Sequence, residues 1–230
     1  TEEEVENRLK MELQHSIELF RETGIEELLY APDLVDKATM MQLDLLLSVS
    51  ECLTFMGRFT ELKLVNCLAV NICLKYGNCP MSALAYIRFG HTLGAETLDY
   101  NTANRISSLG IRICDKYPDN GLKPRILYTY AVGCASWFQS LQTAINYFDL
   151  ASEIAESQGS YNVQAYVCIH RLFYRLCAGQ DLDSLYRLYE AVTEWLKKEN
   201  HILYVLAIAC MTQMRYLLGL PEPLPKEDFN

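Results

Sequence analysis

Residues 140–159 read SLQTAINYFDLASEIAESQG, and this stretch decides the fold. It has the marks of one amphipathic helix. Ser140 suits the cap position, because its hydroxyl accepts from a free backbone N–H of the first turn. Gly159 suits the end, because glycine takes the left-handed conformation at no steric cost. Between them Leu141, Ala144, Ile145, Phe148, Ala151, Ile154 and Ala155 fall at three- and four-residue steps and make one apolar face. Ala144 and Ala151 lie two turns apart, where small side chains let another helix come close. The rest of the chain repeats this design, so the expected fold is all-α.

Helix breakers at Gly77, Pro118, Gly159 and Asn200 set a step of about 41 residues, within the range of helical-pair repeats. At that step Phe59, Tyr100, Leu141 and Leu182 align at the head of the second helix of each pair. Leu62, Ala103, Ala144 and Leu185 follow, then Val65, Ile106, Tyr147 and Leu188. Ala69, Gly110, Ala151 and Val192 form a mostly small column, and Ile72, Ile113, Ile154 and Trp195 a large one. Asp99, Ser140 and Asp181 align as caps. First helices are expected at 81–93, 123–138, 162–178 and 202–218. They share Ala85, Ile126, Val167 and Ile208 but otherwise align poorly, as expected of helices lining the variable inner face of a superhelix. The pattern predicts a tetratricopeptide-like (TPR-like) α-solenoid of antiparallel helix pairs in a right-handed superhelix. One such domain is expected over 1–220. The proline-rich 221–230 stretch, PEPLPKEDFN, reads as a tail or a linker to a further domain.

Before the repeats, residues 2–23 predict a helix with the stripe Val5, Leu9, Leu13, Ile17 and Phe20, ended by Gly24. Its acidic first turn suits the positive end of the helix dipole. Residues 25–35, with Pro32, predict a connector. A helix is expected from the cap Asp36 to 55 or 56. Its centre, LDLLL at 43–47, is apolar nearly all round and should be well buried.

Half of the 230 residues are hydrophobic and the formal net charge is -9. The acidic balance argues against nucleic acid, whose binding needs clustered Lys and Arg, and against anionic membranes. No apolar run approaches the roughly 20 residues of a membrane span, and no signal peptide opens the sequence. The nine cysteines include no C-x-x-C pair and read as free, mostly buried thiols, which fits a cytoplasmic setting. No P-loop, G-x-G-x-x-G, H-E-x-x-H, G-x-S-x-G or EF-hand pattern occurs. His15, His91, His170 and His201 lie far apart and near no ligand partner, so no metal, cofactor or catalytic residue is expected. The acid pairs Glu26/Glu27 and Asp181/Asp183 sit at helix starts and serve dipole and capping roles.

One cluster stands out. His170, Arg171, Tyr174 and Arg175 share a face of a first helix, at one-, three- and four-residue steps. The face is either solvated, with the arginines paired to Asp181 or Asp183, or an anion- or peptide-contacting patch in a concave groove. Tyr and Arg are enriched at binding hot spots. Tyr130, Tyr166, Arg215 and Tyr216 on flanking first helices would extend such a patch, with Arg215 the foremost addition.

Residues 74–86, LKYGNCPMSALAY, resemble the L-x-x-G-N-S-P-x-S-A-x-A-Y stretch of large multidomain signalling ATPases, with Cys79 at the serine position. Ile25, Glu26, Glu27, Leu28 and Leu29, followed by Asp36, Ala38 and Met41, resemble the same family. In that family a kinase-like domain and a STAND-type ATPase precede a TPR-like helical region, and a GAF domain with a histidine kinase or nucleotide cyclase follows. The chain is also similar to the helical sensor domain of MalT-type regulators. The resemblance implies a regulatory region in signal transduction, with no catalytic residue of its own. The function expected is a non-catalytic protein-interaction or sensor module that binds a protein, peptide or effector on the concave face, with neighbouring domains of the same polypeptide among the candidate partners. The alternatives are an enzyme fragment whose site is assembled from scattered residues, and a spacer between ATPase and output domains.

Overall fold

The computed structural model describes residues 2–118, 121–199 and 201–220. Asn200 and the 221–230 stretch, two features of the sequence reading, lie outside the described residues. No strand occurs among the described residues, and an isolated bridge joins Asp33 to Asn78. The helices are α1 (Glu2–Thr23), α2 (Lys37–Phe55), α3 (Phe59–Tyr76), α4 (Ser82–Thr97), α5 (Tyr100–Lys116), α6 (Lys123–Tyr130), α7 (Ser136–Phe138), α8 (Leu141–Ser157), α9 (Tyr161–Cys177), α10 (Leu182–Lys198) and α11 (Tyr204–Leu217). A 3-10 turn spans Glu27–Tyr30, and a π-helical turn spans Ala131–Ala135. The expected first helix at 123–138 is therefore helical over its whole length, with a π-helical turn in its middle.

Helices α3, α5, α8 and α10 begin at Phe59, Tyr100, Leu141 and Leu182, the residues aligned at the head of these helices. Local chemistry explains the last three starts. The side chains of Asp99, Ser140 and Asp181 accept from the backbone N–H of Thr102, Thr143 and Ser184 at 3.0, 3.0 and 2.8 Å. Asp36 does the same for Thr39 at 2.9 Å. Each cap satisfies one of the donors a helix start leaves unpaired. Arg58, before α3, supplies no side-chain cap and instead pairs with Glu61.

Over the described residues the chain divides between Phe138 and Gln139 into two compact units. The first is built around α4. Ser82 to Ile87, Phe89, Gly90 and Thr92 to Gly94 are all buried, so the helix is covered nearly all round. Helix α5 packs on it closely. A Cβ at Gly90 would stand 2.1 Å from Ser107 Oγ and 2.8 Å from the Ala103 carbonyl oxygen. A Cβ at Gly110 would stand 2.7 Å from the Ala83 carbonyl oxygen. One glycine from each helix thus lets the two backbones meet, as the small column at Gly110 and Ala151 implied. On the other side Phe20 of α1 stacks on Phe89 at 5.3 Å and meets Tyr86 edge-on at 6.1 Å.

A buried polar relay fixes the register of α2, α3 and α4. Ser50 donates to Asn66 Oδ1 at 2.9 Å, and Asn66 Nδ2 donates to Thr92 Oγ1 at 3.2 Å. The 43–47 core expected of α2 is only half correct: Leu43 and Leu47 are buried, but Leu45 is 63% exposed. Helix α2 packs through Leu43, Leu47, Ser50 and Leu53, and its opposite apolar side faces solvent.

The 25–35 connector and the 74–86 stretch meet at Asn78. Gly77 has φ +98°, and a Cβ there would fall 2.0 Å from the Pro32 carbonyl oxygen, so only glycine fits. Asn78 is fully buried. Its backbone N–H donates to Pro32 at 2.8 Å and its carbonyl accepts from Leu34 at 2.7 Å. Its side chain donates to the Leu28 carbonyl at 2.7 Å and accepts from the Tyr86 hydroxyl at 3.2 Å. The Tyr117 hydroxyl also donates to the Asn78 carbonyl at 3.1 Å and contacts Asp33. One residue thereby ties the 25–35 connector to α4 and α5.

The second unit packs α8 on α9, α9 on α10 and α10 on α11. Ala144, Ile145, Phe148, Ala151 and Ala155 of the opening stretch are buried, with Leu141 and Ile154 half-buried at its edges. Ala165, Ile169, Leu172, Leu185, Tyr189, Ala207 and Met211 carry the core onward through α9, α10 and α11.

Candidate functional site

Helix α9 buries Ala165, Val167, Cys168, Ile169 and Leu172. That face fixes the direction of the others, and His170, Arg171, Tyr174 and Arg175 come out half-buried beside α8. The two arginines converge on Asp149 of α8. Arg175 Nη2 donates to Asp149 Oδ1 at 2.8 Å, and Arg171 Nη1 reaches the same oxygen at 3.4 Å. Their side chains are 23% and 24% exposed and that of Asp149 is 38% exposed. The partner is thus Asp149, and neither Asp181 nor Asp183. Asp181 is occupied as the cap of α10.

Two guanidinium groups on one carboxylate leave one positive charge uncompensated. Arg171 Nε is buried and has no hydrogen-bond partner. His170 adds no charge to this set at neutral pH. Its Nδ1–H donates to the Tyr166 carbonyl at 2.9 Å, and burial pushes its pKa below the ordinary histidine value. Tyr174 lies edge-on to Phe148 at 5.0 Å and to Phe173 at 6.1 Å, and Phe173 is itself exposed. The result is a cationic pair framed by aromatic rings.

Arg215 does not join this pair. Its Nη1 donates to the Tyr186 hydroxyl of α10 at 2.9 Å. Of the residues expected to extend the patch, Tyr130 is buried in the core of the other unit, Tyr166 is half-buried with its ring 6.1 Å from His201, and Tyr216 is exposed. The sequence reading missed Asp149 altogether. It also missed a second cluster of the same composition in the first unit. Glu51 of α2 accepts from Arg88 of α4 at 3.0 Å and from Arg125 of α6, while Arg88 Nη1 donates to the Leu47 carbonyl at 2.7 Å.

Among the described residues no group of three or more His, Cys, Asp or Glu side chains is placed to hold a metal ion. Nor is any helix among them long and apolar enough to cross a membrane. Compared with protein-family models, with curated proteins and with solved structures, the chain has no match.

Proposed function

We propose that this chain is a non-catalytic interaction module that recognises an acidic protein segment through α9. The observation that carries the reading is the pair Arg171 and Arg175, which share the single carboxylate of Asp149. A cation pair with surplus charge suits a partner carboxylate, because guanidinium offers a planar fork of donors to carboxylate oxygens. The neighbouring Tyr174 and exposed Phe173 supply the aromatic surface common at hot spots. In this reading the helix pairs form a TPR-like solenoid, a right-handed superhelix with a step of about 41 residues. The resemblance to the helical region of signalling ATPases supplies the context: a cytoplasmic regulatory region whose acidic partner is a neighbouring domain of the same polypeptide.

Fluorescence anisotropy with a labelled Asp/Glu-rich peptide, at two salt concentrations, tests this. Arg171→Gln/Arg175→Gln should weaken binding by about fivefold or more, the loss of a modest hot spot. Asp149→Asn, which frees both arginines, should tighten it. Equal affinity of all three proteins would reject the site.

A further inference from the structure

Helix α2 carries two apolar faces. Leu43, Leu47, Ser50 and Leu53 are buried in the first unit. On the opposite side Ala38, Met41, Leu45, Val49, Cys52 and the C-cap residue Met56 follow one another at steps of three or four residues, and all six are exposed. Met41 is 74% exposed, Leu45 63% and Met56 65%. A contiguous apolar stripe of this length in water marks an interaction surface. Its six side chains offer about 600 Å², so covering it on two copies would remove about 1,200 Å² from water, above the roughly 1,000 Å² that a specific interface needs.

The order of the residues says what covers it. The stripe is close to palindromic: 38 with 56, 41 with 52 and 45 with 49 are each centred at the level of Leu47. Two copies of α2 laid antiparallel therefore set Ala38 against Met56, Met41 against Cys52 and Leu45 against Val49, with every contact made twice about a two-fold axis. The two small residues meet the two methionines, so large side chains fit against small ones.

The charges fit the same register. Asp44 and Glu51 lie two turns apart on one flank of the stripe, and the antiparallel arrangement sets Asp44 opposite Glu51 of the other copy. Glu51 is held by Arg88 at 3.0 Å and by Arg125. That cluster carries one surplus positive charge, and the exposed Asp44 brings the matching negative one.

We infer that α2 is a homodimerisation surface, on which a second copy of this chain docks antiparallel with the two-fold axis at the level of Leu47. The stripe is the contact itself, and Asp44 against the Glu51, Arg88 and Arg125 cluster sets its register.

The test is sedimentation velocity of the full 230-residue chain from about 1 to 200 μM, the range in which an interface of this size associates. A concentration-dependent shift from monomer to dimer is expected. Leu45→Glu/Val49→Glu should stay monomeric throughout, with the parent's melting temperature at the lowest concentration, because both side chains are exposed. Asp44→Arg should weaken the dimer at least about fivefold, and Asp44→Arg/Arg125→Glu, which reverses both signs, should restore it. Arg171→Gln/Arg175→Gln should dimerise as the parent does, which separates this surface from the site on α9. The axis is read by cross-linking Met41→Cys/Cys177→Ser with a short bis-maleimide: mass spectrometry should find residue 41 of one copy joined to Cys52 of the other. A chain that is monomeric at every concentration, or a dimer that survives Leu45→Glu/Val49→Glu, would overturn the inference. A cross-link of 41 to 41 in place of 41 to 52 would overturn the antiparallel register.

Discussion

Replacing Asn78 by alanine isolates what its side chain contributes, because its backbone bonds to Pro32 and Leu34 do not need it. One buried group, the Tyr86 hydroxyl now at 3.2 Å from Oδ1, would lose its acceptor, and the Leu28 carbonyl, now at 2.7 Å from Nδ2, would keep only its bond from the Ala31 N–H at 3.2 Å. An orphaned buried polar group costs about 1–3 kcal/mol and a lost hydrogen bond about 0.5–1.5 kcal/mol, so the substitution should cost about 2–4 kcal/mol. Tyr86→Phe completes a double-mutant cycle. Alone, it orphans one face of Asn78 and destabilises. In the Asn78→Ala background it removes a hydroxyl that has already lost its acceptor, so it should be neutral or restore stability. Urea unfolding followed by circular dichroism gives the energies. Hydrogen exchange should show lost protection first at residues 28–34, which Asn78 anchors. Strict additivity of the two substitutions, or an Asn78→Ala cost below about 0.5 kcal/mol, would refute the view that this residue ties the connector to α4.

Three further outcomes follow from packing and burial. Gly110→Ala should destabilise by about 1–3 kcal/mol through overpacking against Ala83 and Ile87, despite the better helix propensity of alanine, and a stabilised variant in thermal melts would mean that α4 and α5 are not in close contact. Burial pushes the Cys67, Cys73 and Cys134 thiols up to about 12 and Cys114 up to about 11, whereas Cys52 and Cys177 are exposed. Mass spectrometry of native protein after brief alkylation should find Cys52 and Cys177 modified first. These buried thiols stay protonated in the fold while the unfolded chain ionises from about pH 9. The stability they carry is therefore intact below that pH and is lost as pH rises toward 12, by up to about 1.4 kcal/mol per pH unit for each ionising thiol. A melting temperature unchanged between pH 8 and pH 11 would contradict that burial.

What the sequence made legible was local. Cap residues and glycines placed the starts of α2, α5, α8 and α10 and the end of α1, because capping is settled within three residues of chain. Direction of burial was not. The 43–47 run of α2 is apolar on several sides, and apolarity alone cannot say which side meets α3. The π-helical turn at Ala131–Ala135 inside the expected helix was equally invisible, since nothing in AVGCA marks a change of helical pitch. Asp149 lies 22 and 26 residues from its two arginines, and Glu51 lies 37 and 74 residues from its own. Such pairs belong to helix packing, which periodicity does not determine. The nearby acids Asp181 and Asp183 looked like better partners only because sequence distance stood in for spatial distance.

The way the cations are grouped bears on what this acidic chain can bind. With 20 Lys and Arg against 29 Asp and Glu, a diffuse attraction to polyanions is disfavoured over most of the surface. Yet Arg171 with Arg175, and Arg88 with Arg125, each bring two guanidinium groups together around one carboxylate. Each group is flanked by atoms that exclude water, and a guanidinium there attracts an anion more strongly than it would in bulk solvent. In the proposed function, long-range repulsion combined with short-range attraction favours a compact anion, a short acidic segment on α9, over an extended polyanion. Binding on α9 should weaken steeply between low and physiological salt. An affinity for the acidic peptide that stays constant over that range would mean that the arginines do not receive its carboxylates.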